Sequence, residues 1–258
     1  MLKIEGPRPA VDLQVKNYTL DMAACADCVS WITLDLPDME LLDGHVCSVR
    51  PRVGTVPLTA PAFSRGPLPG KWEGMVCADH VRDTLDYLYL ADVPLDAENF
   101  SLASVVAAET GVKPFQNLMA LAASGPSLRL VKHEGLFSIR MQNDEIVNSE
   151  PDWRAAGPYL VIMSASGGQV RLRISDRVRK GAVHEAAYTS ALTGPLNVVL
   201  GADQVAFEPD RPTPSTPRGW RGQSMELWVF DTDILAEVNA SPLAMVGQYF
   251  SKTYGGVE

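Results

Sequence analysis

The sequence predicts an all-β chain folded as a sandwich of two antiparallel sheets, with one short helix near its C-terminal end. Three observations predict it. Val170, Leu172 and Ile174 alternate with Arg171, Arg173 and Ser175, the period of a strand with one face in a core. Short apolar runs recur along the chain, several of them bounded by Gly or Pro. One segment carries helix start and stop signals: Ser241 and Pro242 precede Leu243, Val246 and Phe250, and Gly255-Gly256 follows Lys252.

Taken in order, residues 1–27 read as an arm. Pro7 and Pro9 precede Val11-Asp12-Leu13-Gln14-Val15, an alternating strand suited to adding to a sheet edge, its own or a neighbour's. The body is expected to run from residue 28 to residue 258. Val29-Ser30-Trp31 opens it as a strand, and Leu41-Leu42-Asp43-Gly44 as a strand and turn. Residues 35–74 carry Pro37, Pro51, Pro57, Pro61, Pro67 and Pro69, which rule out a long helix and leave short strands and loops. Further strands are expected over residues 100–108, 116–122, 127–132, 136–141 and 159–164. The strand around Leu172 is expected to bury Val170, Leu172 and Ile174 and to expose Arg171 and Arg173. The apolar run 196–200 leads into Gly201, and a Pro-rich loop delivers Trp220-Arg221-Gly222 to a last strand in which Glu226 is expected to point outward. No internal repeat or low-complexity segment interrupts this order.

The stretches Pro195–Asp203 and Trp220–Asp231, followed by a helix ending Tyr249–Gly255, resemble laminin-G-like domains of the concanavalin A-like jelly roll. Val29-Ser30-Trp31 is similar to that family's opening strand, and Phe100-Ser101-Leu102 to a central one. The resemblance spans residues 28–255 through loose patterns of packing residues. It implies a jelly-roll sandwich of the kind found on phage and phage-like particles.

Composition bounds the function. Of 258 residues, 46% are hydrophobic and 21% charged, enough apolar material for one packed core. The net charge of -9 works against nucleic acid and anionic membranes as partners. Arg171, Arg173, Arg177, Arg179 and Lys180 cluster, but they read as a solvated strand edge. The first six residues lack the apolar core of a secretory peptide, and no stretch reaches the roughly twenty apolar residues that span a bilayer. Assembly in a host cytoplasm is therefore expected, with display on a particle surface.

Chemistry-bearing motifs are sparse. Cys25 and Cys28 make one Cys-x-x-Cys, but Cys47 and Cys77 stand apart, so half a zinc motif is missing even with His45 in reserve. Four small packing cysteines and no metal are expected. Glycoside cleavage in such sandwiches calls for paired carboxylates about 5 to 9 Å apart. The Glu-x-Asp-x-x-Glu pattern that supplies them is absent, as are a nucleophile elbow, a phosphate loop and a zinc helix. His80, His133 and His184 are scattered. The one weak ligand-binding group is Arg218, Trp220 and Arg221, an aromatic beside cations on a loop, though Trp220 also fits a core position.

The expected protein is thus non-enzymatic, without cofactor. It is a homo-oligomeric structural or adhesive component of a phage or phage-like particle, serving as capsid decoration, head spike or tail adhesin. Its expected partners are other virion proteins and a host surface polysaccharide. The alternatives are a cellular carbohydrate-binding lectin and a divergent glycoside hydrolase.

Overall fold

A computed structural model describes residues 20–61, 66–80, 86–108, 116–141, 144–153, 157–202, 219–236 and 240–257. Among these described residues, seventeen strands form two antiparallel sheets stacked face to face. Sheet A orders β15 (His184–Ala187), β14 (Gln169–Ser175), β13 (Tyr159–Ser166), β8 (Phe100–Ala108), β17 (Gly222–Phe230), β6 (Met75–His80) and β5 (Leu68–Trp72). The far side of β17 is shared: β6 pairs with its first residues, and β1 (Cys28–Thr33) with Glu226 to Phe230. Sheet B orders β12 (Asp144–Asn148), β11 (Leu136–Met141), β10 (Ser127–His133), β9 (Gln116–Ala122), β16 (Leu196–Leu200), β7 (Leu88–Val93), β4 (Leu58–Thr59), β3 (His45–Val49) and β2 (Met39–Leu42).

The expected sandwich is therefore observed, with the C-terminal helix α1 at Ala240–Tyr254. Asp43 and Gly44 both adopt positive φ in the two-residue turn joining β2 to β3, the geometry that twists a hairpin correctly. The expected strands over residues 100–108, 116–122, 127–132, 136–141, 159–164 and 196–200 are all present. β6, β7, β12 and β15 were not anticipated. Val11 to Val15 lie outside the described residues.

Between the sheets lies the main core, where Phe100, Leu102 and Leu172 meet Leu118, Leu130 and Ile139. A second core covers the opposite face of sheet A. There α1 lays Val246, Tyr249, Phe250 and Tyr254 on Trp31, Trp228, Ala103 and Ile162, and Met22 packs in beside them. Residues 20–27 thus lie against the body, and the amide of Asp231 donates to the carbonyl of Asp27.

That second layer corrects one expectation. Val170, Leu172 and Ile174 are fully buried, as alternation requires, but Arg173 is also buried, at 8% exposure. Its strand partner is Ile162, on the face α1 covers, so the side opposite the main core is not wet. Burial holds the Arg173 guanidinium below its ordinary pKa. Arg171 is half-buried and ion-paired to Glu185 and to Asp233. Gly222, at φ +140, explains how closely β17 can approach β8: a Cβ there would sit 2.1 Å from the Ala107 carbonyl oxygen.

Candidate functional site

The most unusual chemistry in the molecule is built around Glu226. Alternation along β17 was expected to turn it outward to water; instead it is completely buried. A register shift between Ser224 and Glu226 sets Met225 and Glu226 on the same side, and α1 roofs that side. Four donors converge on the carboxylate. Tyr249 and Tyr254 hydroxyls, from α1, donate to Oε1 at 2.7 and 2.9 Å. Trp31 Nε1 and the Thr33 hydroxyl, from β1, donate to Oε2 at 2.9 and 3.0 Å.

Every lone-pair direction of the carboxylate is used, the condition under which a buried charge is tolerated. Burial still dominates, pushing the Glu226 carboxyl up to about 7 against these hydrogen bonds and the positive charge of Arg52. The surroundings are aromatic: Tyr249 stands edge-on to Trp31 at 5.2 Å and to Trp228 at 5.6 Å between ring centres. Arg52 caps Trp31 from outside, 5.6 Å from its ring centre, and is paired to Asp35 at 3.0 Å. A perturbed carboxyl beside two phenols has the parts of an acid–base site. With Tyr249 and Tyr254 3% and 5% exposed, no substrate reaches it, and its role here is to clamp α1 to sheet A.

A second constellation lies between the sheets at one end of the sandwich. His80 Nδ1 contacts the Asp86 carbonyl oxygen at 2.7 Å, and Nε2 contacts the Ser224 hydroxyl at 3.1 Å. Because a carbonyl only accepts, Nδ1 carries the proton and Nε2 accepts from Ser224. Burial pushes the imidazole down to about 4, so it is neutral near pH 7. Gly201 makes room for the ring, since a Cβ there would lie 2.7 Å from it. The pair has the form of a nucleophile and base, but Ser224 has no exposed surface.

One face of sheet B carries a small buried apolar cluster of Tyr87, Ala120, Ala122, Val199 and Ala202, with Tyr89 against it. Cross-strand register places Arg140, Arg129, Ala120, Val199, Tyr89 and Thr59 in one row from β11 to β4. The centre of this row is buried, with Arg129 at 6% and Ala120 and Val199 at zero, whereas Arg140, Tyr89 and Thr59 are half-exposed. Arg140 donates to Glu145 at 2.7 Å. Tyr89 lies 6.4 Å from Tyr87, between ring centres.

The sequence-derived ligand group is described only in part. Trp220 is 1% exposed within the inter-sheet core, Arg221 is half-buried with its amide donating to Gln116 Oε1, and Arg218 lies outside the described residues. Cys28 and Cys77 are buried, which pushes both thiols up to about 12. Among the described residues no three His, Cys, Asp or Glu side chains converge as metal ligands, and no helix is long and apolar enough to cross a membrane. Sequence reasoning missed Tyr89 because no strand was expected over Leu88–Val93, and it missed the two arginines because local pattern does not give the order of the strands that carry them.

No protein-family model matches the chain, and no curated protein matches its sequence. Solved structures do match its fold. Domain 4 of a GH43 extracellular arabinanase from Geobacillus stearothermophilus, solved with arabinotriose, is 13% identical with a TM-score of 0.56; the match covers 84% of this chain and 98% of that one. A Trypanosoma rangeli sialidase in complex with 2,3-difluorosialic acid is 10% identical with a TM-score of 0.53, over 87% of this chain. This chain spans 36% of that sialidase's length. A GH54 α-L-arabinofuranosidase is 9% identical with a TM-score of 0.54, over 88% of this chain and 64% of its own.

These matches correct the expectation of a non-enzymatic protein. The sandwich is one that occurs in carbohydrate-active enzymes, and at 9 to 13% identity the likeness is one of fold.

Proposed function

We propose that this chain is a carbohydrate-recognition sandwich. The observation that carries the reading is the likeness to the arabinanase domain, which is matched over 98% of its length and was solved with arabinotriose. Support within the chain comes from sheet B, where the half-exposed Tyr89 and Thr59 are strand partners and set a ring beside a hydroxyl. Sugars are held by such mixtures: apolar CH faces pack on rings while hydroxyls take directed hydrogen bonds.

The test is binding of the purified chain to a glycan array that includes arabino-oligosaccharides and sialosides, with hydrolysis of the same glycans assayed in parallel. Retention of at least one glycan class is expected, and absence of both binding and hydrolysis across the array overturns the reading. Tyr89→Ala is expected to weaken binding about tenfold, the loss of one ring contact, while leaving the unfolding temperature within a few degrees of the parent. Titration calorimetry against the retained glycan measures it.

Display on a phage or phage-like particle is a separate part of the proposal and rests on the sequence reading. Proteomic detection of the chain in purified particles checks it.

A further inference from the structure

We propose that Cys25 and Cys28 are a redox pair, which closes to a disulfide by exchange with a low-molecular-weight disulfide such as glutathione disulfide. Two residues separate them, Ala26 and Asp27, and the chain folds these into a turn. The Cys28 amide closes that turn by donating to the Cys25 carbonyl oxygen at 3.1 Å. A turn closed in this way holds its end Cα atoms within about 7 Å, and a disulfide spans roughly 4.4 to 6.8 Å between Cα atoms. The backbone is therefore already folded for the bridge. The thiols also sense each other, since Cys25 is among the groups that hold the Cys28 thiol above its ordinary pKa.

The two thiols differ in access. Cys25 is half-exposed, whereas Cys28 is buried at the start of β1 opposite Phe230. Burial, then Cys25 and the Asp231 carboxylate, keep the Cys28 thiol protonated near pH 7. Cys25 is thus the sulfur that meets the oxidant. As a thiolate it attacks one sulfur of glutathione disulfide, forming a mixed disulfide and releasing one glutathione thiolate. The Cys28 sulfur, on losing its proton, attacks the Cys25 sulfur, and the second glutathione leaves with the electron pair of the broken bond. Two protein thiols are oxidised, one glutathione disulfide is reduced, and the two protons end on the two glutathiones.

The surroundings hold the bridge in place. Met22 is buried in the second core, and the Asp231 amide donates to the Asp27 carbonyl, so the turn is fixed on both sides. Reduction is slow for the reason that protonates Cys28: attack at the accessible Cys25 sulfur must expel the Cys28 thiolate, a poor leaving group.

Anaerobic equilibration of the full chain in glutathione buffers of graded oxidised-to-reduced ratio tests this, read by acid quench, alkylation in denaturant and fragment mapping. Two of the four cysteines are expected to become protected as the ratio rises, in one fragment that bridges Cys25 to Cys28, and to be recovered when it falls. Cys28→Ser is expected to stop at glutathionylated Cys25, and Cys25→Ser to leave the Cys28 thiol alkylatable at every ratio. A parent that keeps four alkylatable thiols throughout, that stops at a mixed disulfide on Cys25, or that bridges either residue to Cys47 or Cys77 instead, overturns the proposal.

Discussion

Replacing Glu226 with leucine is expected to destabilise the fold by about 3 to 5 kcal/mol, measured by chemical denaturation at neutral pH. Leucine fills a similar volume but accepts nothing. The Trp31 indole N–H, the Thr33 hydroxyl and the Tyr249 and Tyr254 hydroxyls would all be left buried beside an apolar group. Two of the four come from α1, so the loss falls on the contact between that helix and sheet A. Glu226→Gln is the informative contrast. Its oxygen keeps Trp31 and Thr33, and its amide can donate to the two phenol oxygens, which accept as readily as they donate. A cost of roughly 1 to 2 kcal/mol is expected for glutamine. Equal costs for leucine and glutamine would show that side-chain volume, not the four hydrogen bonds, holds α1.

Glu226 and His80 are expected to oppose each other in the pH dependence of stability. Folding raises the Glu226 carboxyl from 4.5 to about 7. Its contribution is therefore fully present below pH 4.5 and is lost as pH rises through 7. Folding lowers the His80 imidazole from 6.5 to about 4, so its contribution is present above pH 6.5 and is lost as pH falls through 4. Each shift corresponds to on the order of 3 kcal/mol, with opposite sign over an overlapping window. The parent profile between pH 4.5 and 6.5 should consequently be shallow. In Glu226→Gln only the His80 slope remains, and stability should fall steeply as pH drops from 6.5 towards 4. In His80→Gln it should instead rise as pH drops from 7 to 4.5. Denaturation midpoints for the three proteins across this range measure the effect. Parallel profiles would mean that neither group changes its protonation on folding.

Strand positions were legible where the pattern was strong. β8, Phe-Ser-Leu-Ala-Ser-Val-Val-Ala-Ala, is uncharged and mostly apolar on both faces because both are covered, one by sheet B and one by α1. β14 reads as alternating because its odd positions carry arginines. β15, His-Glu-Ala-Ala, carries neither pattern, since an edge strand with both faces half-open imposes little on its side chains. β6 and β7 were hidden by mixed sequence: β6 alternates between two different cores, and β7 has apolar residues on both faces.

The sites were less legible than the strands. Tyr89 enters one row with Arg129 and Arg140, three and four strands away, only through the order β11-β10-β9-β16-β7. His80 and Ser224 meet because β6 pairs with the start of β17, across 144 residues of chain.

By itself the sequence determined the fold class, the main-core face of β14 and the position of the C-terminal helix. Alternation, Gly and Pro punctuation and capping residues act within a few residues of one another, so a linear chain displays them. Only the tertiary structure decided that the second face of sheet A is also interior. The helix that covers it lies far along the chain from most of the strands it meets, and a single register shift in β17 turns Glu226 beneath that helix. A charge that alternation assigns to water is thereby enclosed, and its energetics are set by four donors that no local pattern announces.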